Sequence, residues 1–145
     1  MEARGIRNNN PLNIRRNSVN NWRGLCLEQT DRQFCQFDSL TMGYRAAAVI
    51  MRNYDILYSI NTVSSIISRW APASENNTLA YIRRVCALTG FAPGHVLHAG
   101  SKSCSRELCQ LLLAMATVEC GCDLMHDAQH RKCVSAGVEM ISYMV

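Results

Sequence analysis

Long apolar runs are missing from this sequence. The longest, LLLAMATV at residues 111–118, falls well short of the roughly 18 consecutive apolar residues that a membrane-spanning helix needs. Residues 1–20 contain no apolar segment of the kind that drives secretion, so no cleavable export signal is expected, and action outside the cytoplasm needs another carrier. A glycine-rich phosphate loop is absent, as are a helix-turn-helix pattern and an aromatic platform beside the arginines. Nucleotide chemistry and nucleic-acid recognition are therefore not expected, and neither nucleic acid nor membrane is an expected partner. No internal repeat or low-complexity segment occurs, which excludes solenoids and compositional tails.

What is present fits one folded unit. The chain has 145 residues, 48% of them hydrophobic, and a domain of about 150 residues buries roughly 68–70% of its unfolded surface. The core can form without covalent staples. A net charge of +4 suits an anionic polymer but selects none. The eight cysteines at 26, 35, 86, 104, 109, 120, 122 and 133 would suggest disulfides in an exported protein. With no export signal, mostly reduced and partly buried thiols are expected, oxidation after release being the alternative.

Periodicity predicts a mainly helical domain over residues 1–145 with a small irregular or β region at its front. Residues 1–37 read as loops, QFCQF (33–37) being a candidate edge of a small hairpin. A helix capped by Asp38 or Ser39 runs to about Ser59, with Leu40, Tyr44, Ala47, Met51, Tyr54 and Tyr58 in its stripe. Thr62 caps a second, stopped by Pro72. Ser74 caps a third, with Leu79, Ile82 and Cys86 inward and Gly90 at its end. Pro93 opens a brief helical turn to His98. Ser103 caps a fifth, with Leu108, Leu111, Leu112, Met115 and Val118 inward and Gly121 closing it. The last runs from about Asp123 to Tyr143.

Two carboxyls stand out. Glu119 follows Leu108, Leu112 and Met115 at steps of 4, 3 and 4, which places it on a buried stripe in a last helical turn. Burial and the negative helix end both favour the protonated form, the form that glycosidic bond cleavage uses as its acid. The plain alternative is a stripe-edge Glu that reaches water or meets an arginine. Glu75, in WAPASENNT (70–78), lies in a first helical turn, where the dipole favours the anion. It is a candidate partner for Glu119, or an ordinary helix-start acid.

Other chemistry is weaker. Cys120, Cys122, His126, His130 and Cys133 cluster in sequence, but their spacing fits no zinc pattern. No cysteine carries a nucleophile signature, and His95 and His98 read as surface or turn residues. Neither metal nor cofactor is expected.

The segment RGIRNNNPLNIR at residues 4–15 opens a longer pattern: Trp22 with Gly24, Phe34 with Phe37, Gly43 with Arg45 and Ala46, the block from Thr62 to Tyr81 containing RWAP and EN, and Glu119 with Gly121. Over residues 4–121 the chain resembles a phage-encoded and secretion-effector family of lysozyme-like peptidoglycan hydrolases, often labelled as phage virion proteins. Leu12 departs from the glycine usual there, and the cysteine-bearing tail past Gly121 lies outside the pattern.

The resemblance implies a lysozyme-like fold that cleaves bacterial peptidoglycan, with Glu119 and Glu75 catalytic. It implies saccharide contacts from Asn9, Asn10, Asn13, Arg15, Trp70, Asn76 and Tyr81. The alternative is a non-catalytic virion component that grips peptidoglycan or holds other phage or secretion-system proteins. Either way the chain would be made in a bacterial cytoplasm and delivered to the cell wall by a phage or a secretion system. Compared with glucosaminidases of the flagellar and autolysin type, whose catalytic Glu precedes the asparagine segment, the order here implies a circular permutation. Glu119 should then lie beside the Asn9–Ile14 loop in space. The asparagine loop would line the cleft; on its own chemistry it is equally a set of turns.

Overall fold

The computed structural model describes residues 2–142 and is mainly α. Its helices are α1 (Arg4–Arg7), α2 (Leu40–Tyr58), α3 (Val63–Trp70), α4 (Thr78–Thr89), α5 (Ser105–Cys120) and α6 (Ala128–Ser142), with one 3-10 turn at Lys102–Cys104. Among the described residues no sheet forms. The extended contacts are isolated antiparallel bridges, Arg15 with Phe34, Leu25 with Phe37 and Thr62 with Val96. QFCQF therefore supplies two bridges and no strand. No described helix is long and apolar enough to cross a membrane.

The helix starts follow local chemistry. Ser39 caps α2 by accepting from the Met42 N–H. Thr62 and Ser65 form a reciprocal capping box at the start of α3. The cap of α4 is Asn77, which accepts from the Ala80 N–H, and not Ser74. Residues 72–76 are turn, closed by bonds from the Glu75 and Asn76 amides to the Pro72 carbonyl. Leu79, expected inward, lies out in solvent at 64% exposure, and Tyr81, Ile82 and Val85 form the inner face. The expected helical turn from Pro93 to His98 is a loop tied to α3, through bonds from Val63 N to His95 O and Ser64 N to Pro93 O. The fifth helix starts at Ser105 after the 3-10 turn, and Ser103 makes no cap bond to it. Asp127, not Asp123, starts α6 by accepting from the His130 N–H at 2.9 Å. Tyr143 lies outside the described residues.

Helix α5 sits at the centre and touches α1, α2, α4 and α6. Seven consecutive residues, Leu111 to Thr117, are buried, and each large aliphatic among them contributes about 1.5–3 kcal/mol by leaving water. The most extensive contact is α2 on α6. Gly137 permits it: a Cβ there would lie 2.8 Å from Arg45 N and 2.9 Å from Thr41 O. Tyr44 on α2 and His130 on α6, 0% and 5% exposed, share a 2.6 Å hydrogen bond across this interface.

All eight cysteines are free; Cys35 is buried, Cys122 is exposed and the rest are half-buried.

Candidate functional site

The front segment is built from asparagines used for their backbones. Asn9 and Asn13 adopt left-handed φ of 51° and 54°, which asparagine tolerates better than most non-glycine residues. Asn10 is wholly buried. Its amide donates to the Ile14 and Cys35 carbonyls at 2.9 Å each, and its carbonyl accepts from Ile14 N. The Asn9 amide donates to Phe37 O at 3.1 Å. Asn10 is thus an internal strut whose polar atoms are spent on the loop, and half-buried Asn9 gives its amide to the same task; neither lines the groove described below. Gly43 lets this loop lie on α2, since a Cβ there would overlap Asn9 O. Leu12 is buried, so the departure from glycine adds a core side chain.

The second support is ionic. Arg4 donates to Asp31 through Nε and a terminal nitrogen, both at 2.6 Å. Asp31 also accepts from the Gln33 and Phe34 amides and from Asn8. The Arg4 guanidinium holds this carboxyl far below the usual carboxylate range.

Between this front segment and the α3–α4 connection lies an open groove of about 490 Å³, with Glu119 among its lining residues. The carboxyl is half-buried in the last turn of α5, just before Gly121 ends the helix at φ 68°. Asn13 Nδ2 donates to Oε1 and Tyr81 Oη to Oε2, each at 3.0 Å. Among the described residues no cation forms an ion pair with it. Desolvation pushes Glu119 above its ordinary 4.5. The Asn13 and Tyr81 donors restrain the rise, with lesser pulls from the Trp70 side chain and the Arg15 charge. The result is a carboxyl biased toward its protonated form yet furnished with donors for its anion.

The juxtaposition of Glu119 with the Asn9–Ile14 loop is therefore present, through Asn13. Gly5 makes room for it: a Cβ there would meet Asn10 O at 2.9 Å and Asn13 Oδ1 at 3.0 Å. Of the other anticipated contacts, Arg15, Trp70 and Asn76 line the groove. Tyr81 does not. At 7% exposure it cannot stack on a sugar, and its hydroxyl is spent on Glu119. Glu75 lines the groove but is exposed in the turn before Asn77, outside the first turn of α4.

Sequence reasoning passed over Trp22, Phe34 and Tyr54 as groove residues. The signal existed for two of them in the W-x-G and F-x-x-F pairs. Gly24, at φ 84°, packs where a Cβ would strike Met42, which seats the Trp22 turn on α2. The Cys/His cluster does not converge: His126 pairs with Asp123 at 3.2 Å and His130 with Tyr44. Among the described residues no three His, Cys, Asp or Glu side chains are grouped to hold a metal.

No family model matches the chain. Over 90 residues it is 43% identical to Protein P5 of Pseudoalteromonas phage PM2, a match covering 61% of this chain and 56% of that protein. The chain thus spans little more than half the length of the curated relative it matches. The similarity associates it with a bacteriophage protein.

Proposed function

We propose that this chain is a lysozyme-like hydrolase of the glycan strand of bacterial peptidoglycan, with Glu119 as general acid. One observation carries the reading. A desolvated carboxyl at a helix end lies in an open groove, held by two neutral donors and, among the described residues, by no ion pair. A half-buried glutamate with a purely structural role more often reaches out to water or meets a cation.

Protonated Glu119 gives its proton to the departing glycosidic oxygen. The carboxylate left behind is stabilised by the same Asn13 and Tyr81 donors; the water whose oxygen bonds to the sugar carbon then releases a proton, which restores the acid for the next turnover. Such acid–base help is typically worth about 10²–10⁴-fold. Glu75, across the groove, or the substrate's own acetamide group, offsets charge on the sugar ring as it becomes oxocarbenium-like. Trp70 and Asn76 contact the strand, with Arg15 on the other wall. The permuted order of a glucosaminidase-like scaffold accounts for Asn13 preceding Glu119 in sequence while adjoining it in space. Delivery to the cell wall falls to a phage or a secretion system.

Glu119→Gln should abolish the clearing of purified cell-wall suspensions while the thermal melt is retained. Full clearing by that variant rejects the assignment. The similarity to a phage protein also favours a second reading, a virion component that grips peptidoglycan without cutting it. Such a protein sediments with cell walls and releases no sugar fragments.

A further inference from the structure

The groove has two unlike banks. One is formed by residues 12–17 with Asn20, and carries Arg15 and Arg16; the other is the end of α3 and the turn after it, and carries Glu75. The two arginines are held in place without being neutralised. Their backbones are pinned by the Arg15–Phe34 bridge and by a 2.8 Å bond from Arg16 N to Gln33 O. The Arg15 guanidinium lies 5.2 Å from the centroid of Phe34, itself a groove residue. Arg16 donates from one terminal nitrogen to the Asp31 carbonyl at 2.8 Å. That leaves most of the five N–H groups of each guanidinium open.

The acid that would be expected to quench them is engaged elsewhere. Asp31 is adjacent, but both its oxygens are taken by Arg4 through the parallel 2.6 Å bonds. Among the described residues neither Arg15 nor Arg16 has an ion-pair partner. A planar fork of donors on a fixed stem is the arrangement that binds carboxylates in a bidentate manner.

We infer that Arg15 and Arg16 form a carboxylate-reading bank, so that the substrate is a glycan strand bearing acidic side groups and not a neutral polymer of the same sugars. The inference rests on the hydrolase reading for the identity of the strand. It adds an orientation: the acidic edge of the strand faces the 12–17 bank, because Glu75 repels it from the other.

The test separates binding from cutting. Peptidoglycan sacculi are prepared native and with their carboxyls capped as methylamides, and binding is measured by sedimentation in the E119Q background, where strands survive. Native sacculi should half-saturate the protein at about tenfold lower concentration than capped ones, the effect of one or two charge-assisted bonds. Adding Arg15→Gln and Arg16→Gln should bring native binding down to the capped level. Arg15→Lys with Arg16→Lys should keep part of the preference. Thermal melts check folding; if the double glutamine variant does not fold, Arg15→Gln alone should reduce the preference and raised salt should erase it. Equal binding of native and capped sacculi, or an intact preference in the glutamine variants, overturns the inference. Wild-type protein that binds native sacculi selectively yet frees no fragments overturns the hydrolase reading and leaves the bank standing.

Discussion

Asn13 and Glu119, 106 residues apart in the chain, meet through a 3.0 Å hydrogen bond at the groove. On the opposite oxygen Tyr81 does the same from α4. Three separate parts of the sequence thus fix one carboxyl, and the donors favour its anion while burial opposes it.

Removing either donor should therefore raise the pKa of Glu119 further. If Glu119 is the general acid proposed above, activity falls as pH rises through its pKa, so the alkaline limb of the pH–rate profile should move upward in Tyr81→Phe. At the same time the rate at the optimum should fall, on the order of tenfold for one lost orienting bond. Asn13→Gly keeps the left-handed backbone and should act in the same way. A limb that stays in place would show that these bonds do not bear on the acid.

The same group sets a stability trend. A carboxyl with a raised folded pKa binds its proton more tightly in the native state, so its contribution is complete below about pH 4.5 and is lost as pH rises above that value. Glu119→Gln removes the loss. Its melting temperature relative to wild type should improve from pH 4 to pH 7, measured by circular dichroism at matched ionic strength. A difference that is flat or of opposite slope would refute the buried-acid description.

His130 acts in the reverse sense. Burial holds its imidazole below the ordinary 6.5, so the folded state resists protonation. Stability from this group is complete above about pH 6.5 and declines as pH falls through that value toward the folded pKa. His130→Gln should flatten the melting temperature between pH 7.5 and 5.5. It should also lower the plateau, since Tyr44 loses its 2.6 Å partner.

At Gly137, alanine would push a Cβ to within 2.8 Å of the Arg45 backbone. Separating α2 from α6 should cost about 1–3 kcal/mol, as overpacking generally does, read as a lower denaturant midpoint with unchanged slope.

Much of this architecture was legible in the sequence, and the misreadings have physical reasons. Ser39, Thr62, Gly90 and Gly121 announced helix boundaries because their side chains or left-handed backbones do the capping themselves. Glu119 was legible from the 4, 3 and 4 spacing that continues the apolar stripe of α5. Asn77 and not Ser74 caps α4, and its inner face carries Tyr81 and Val85 where Leu79 and Cys86 were expected, because apolar residues stand on both sides of this helix and only the packing selects between them. Tyr81, expected to meet a sugar, instead supports Glu119. Asn9 and Asn10 misled because an asparagine that closes its own turns and one that greets a sugar look alike in sequence. Only the partners, Phe37 O, Ile14 and Cys35 O, distinguish them. The two groove banks belong to distant segments, and no local pattern announces that Asp31 is occupied by Arg4.

The order of the parts also governs when the groove exists. Residues 4–37 supply one wall and α5 supplies Glu119, so a nascent chain leaving the ribosome carries the asparagine loop long before the carboxyl that docks on it. Any chain interrupted ahead of residue 119 has a wall without a floor.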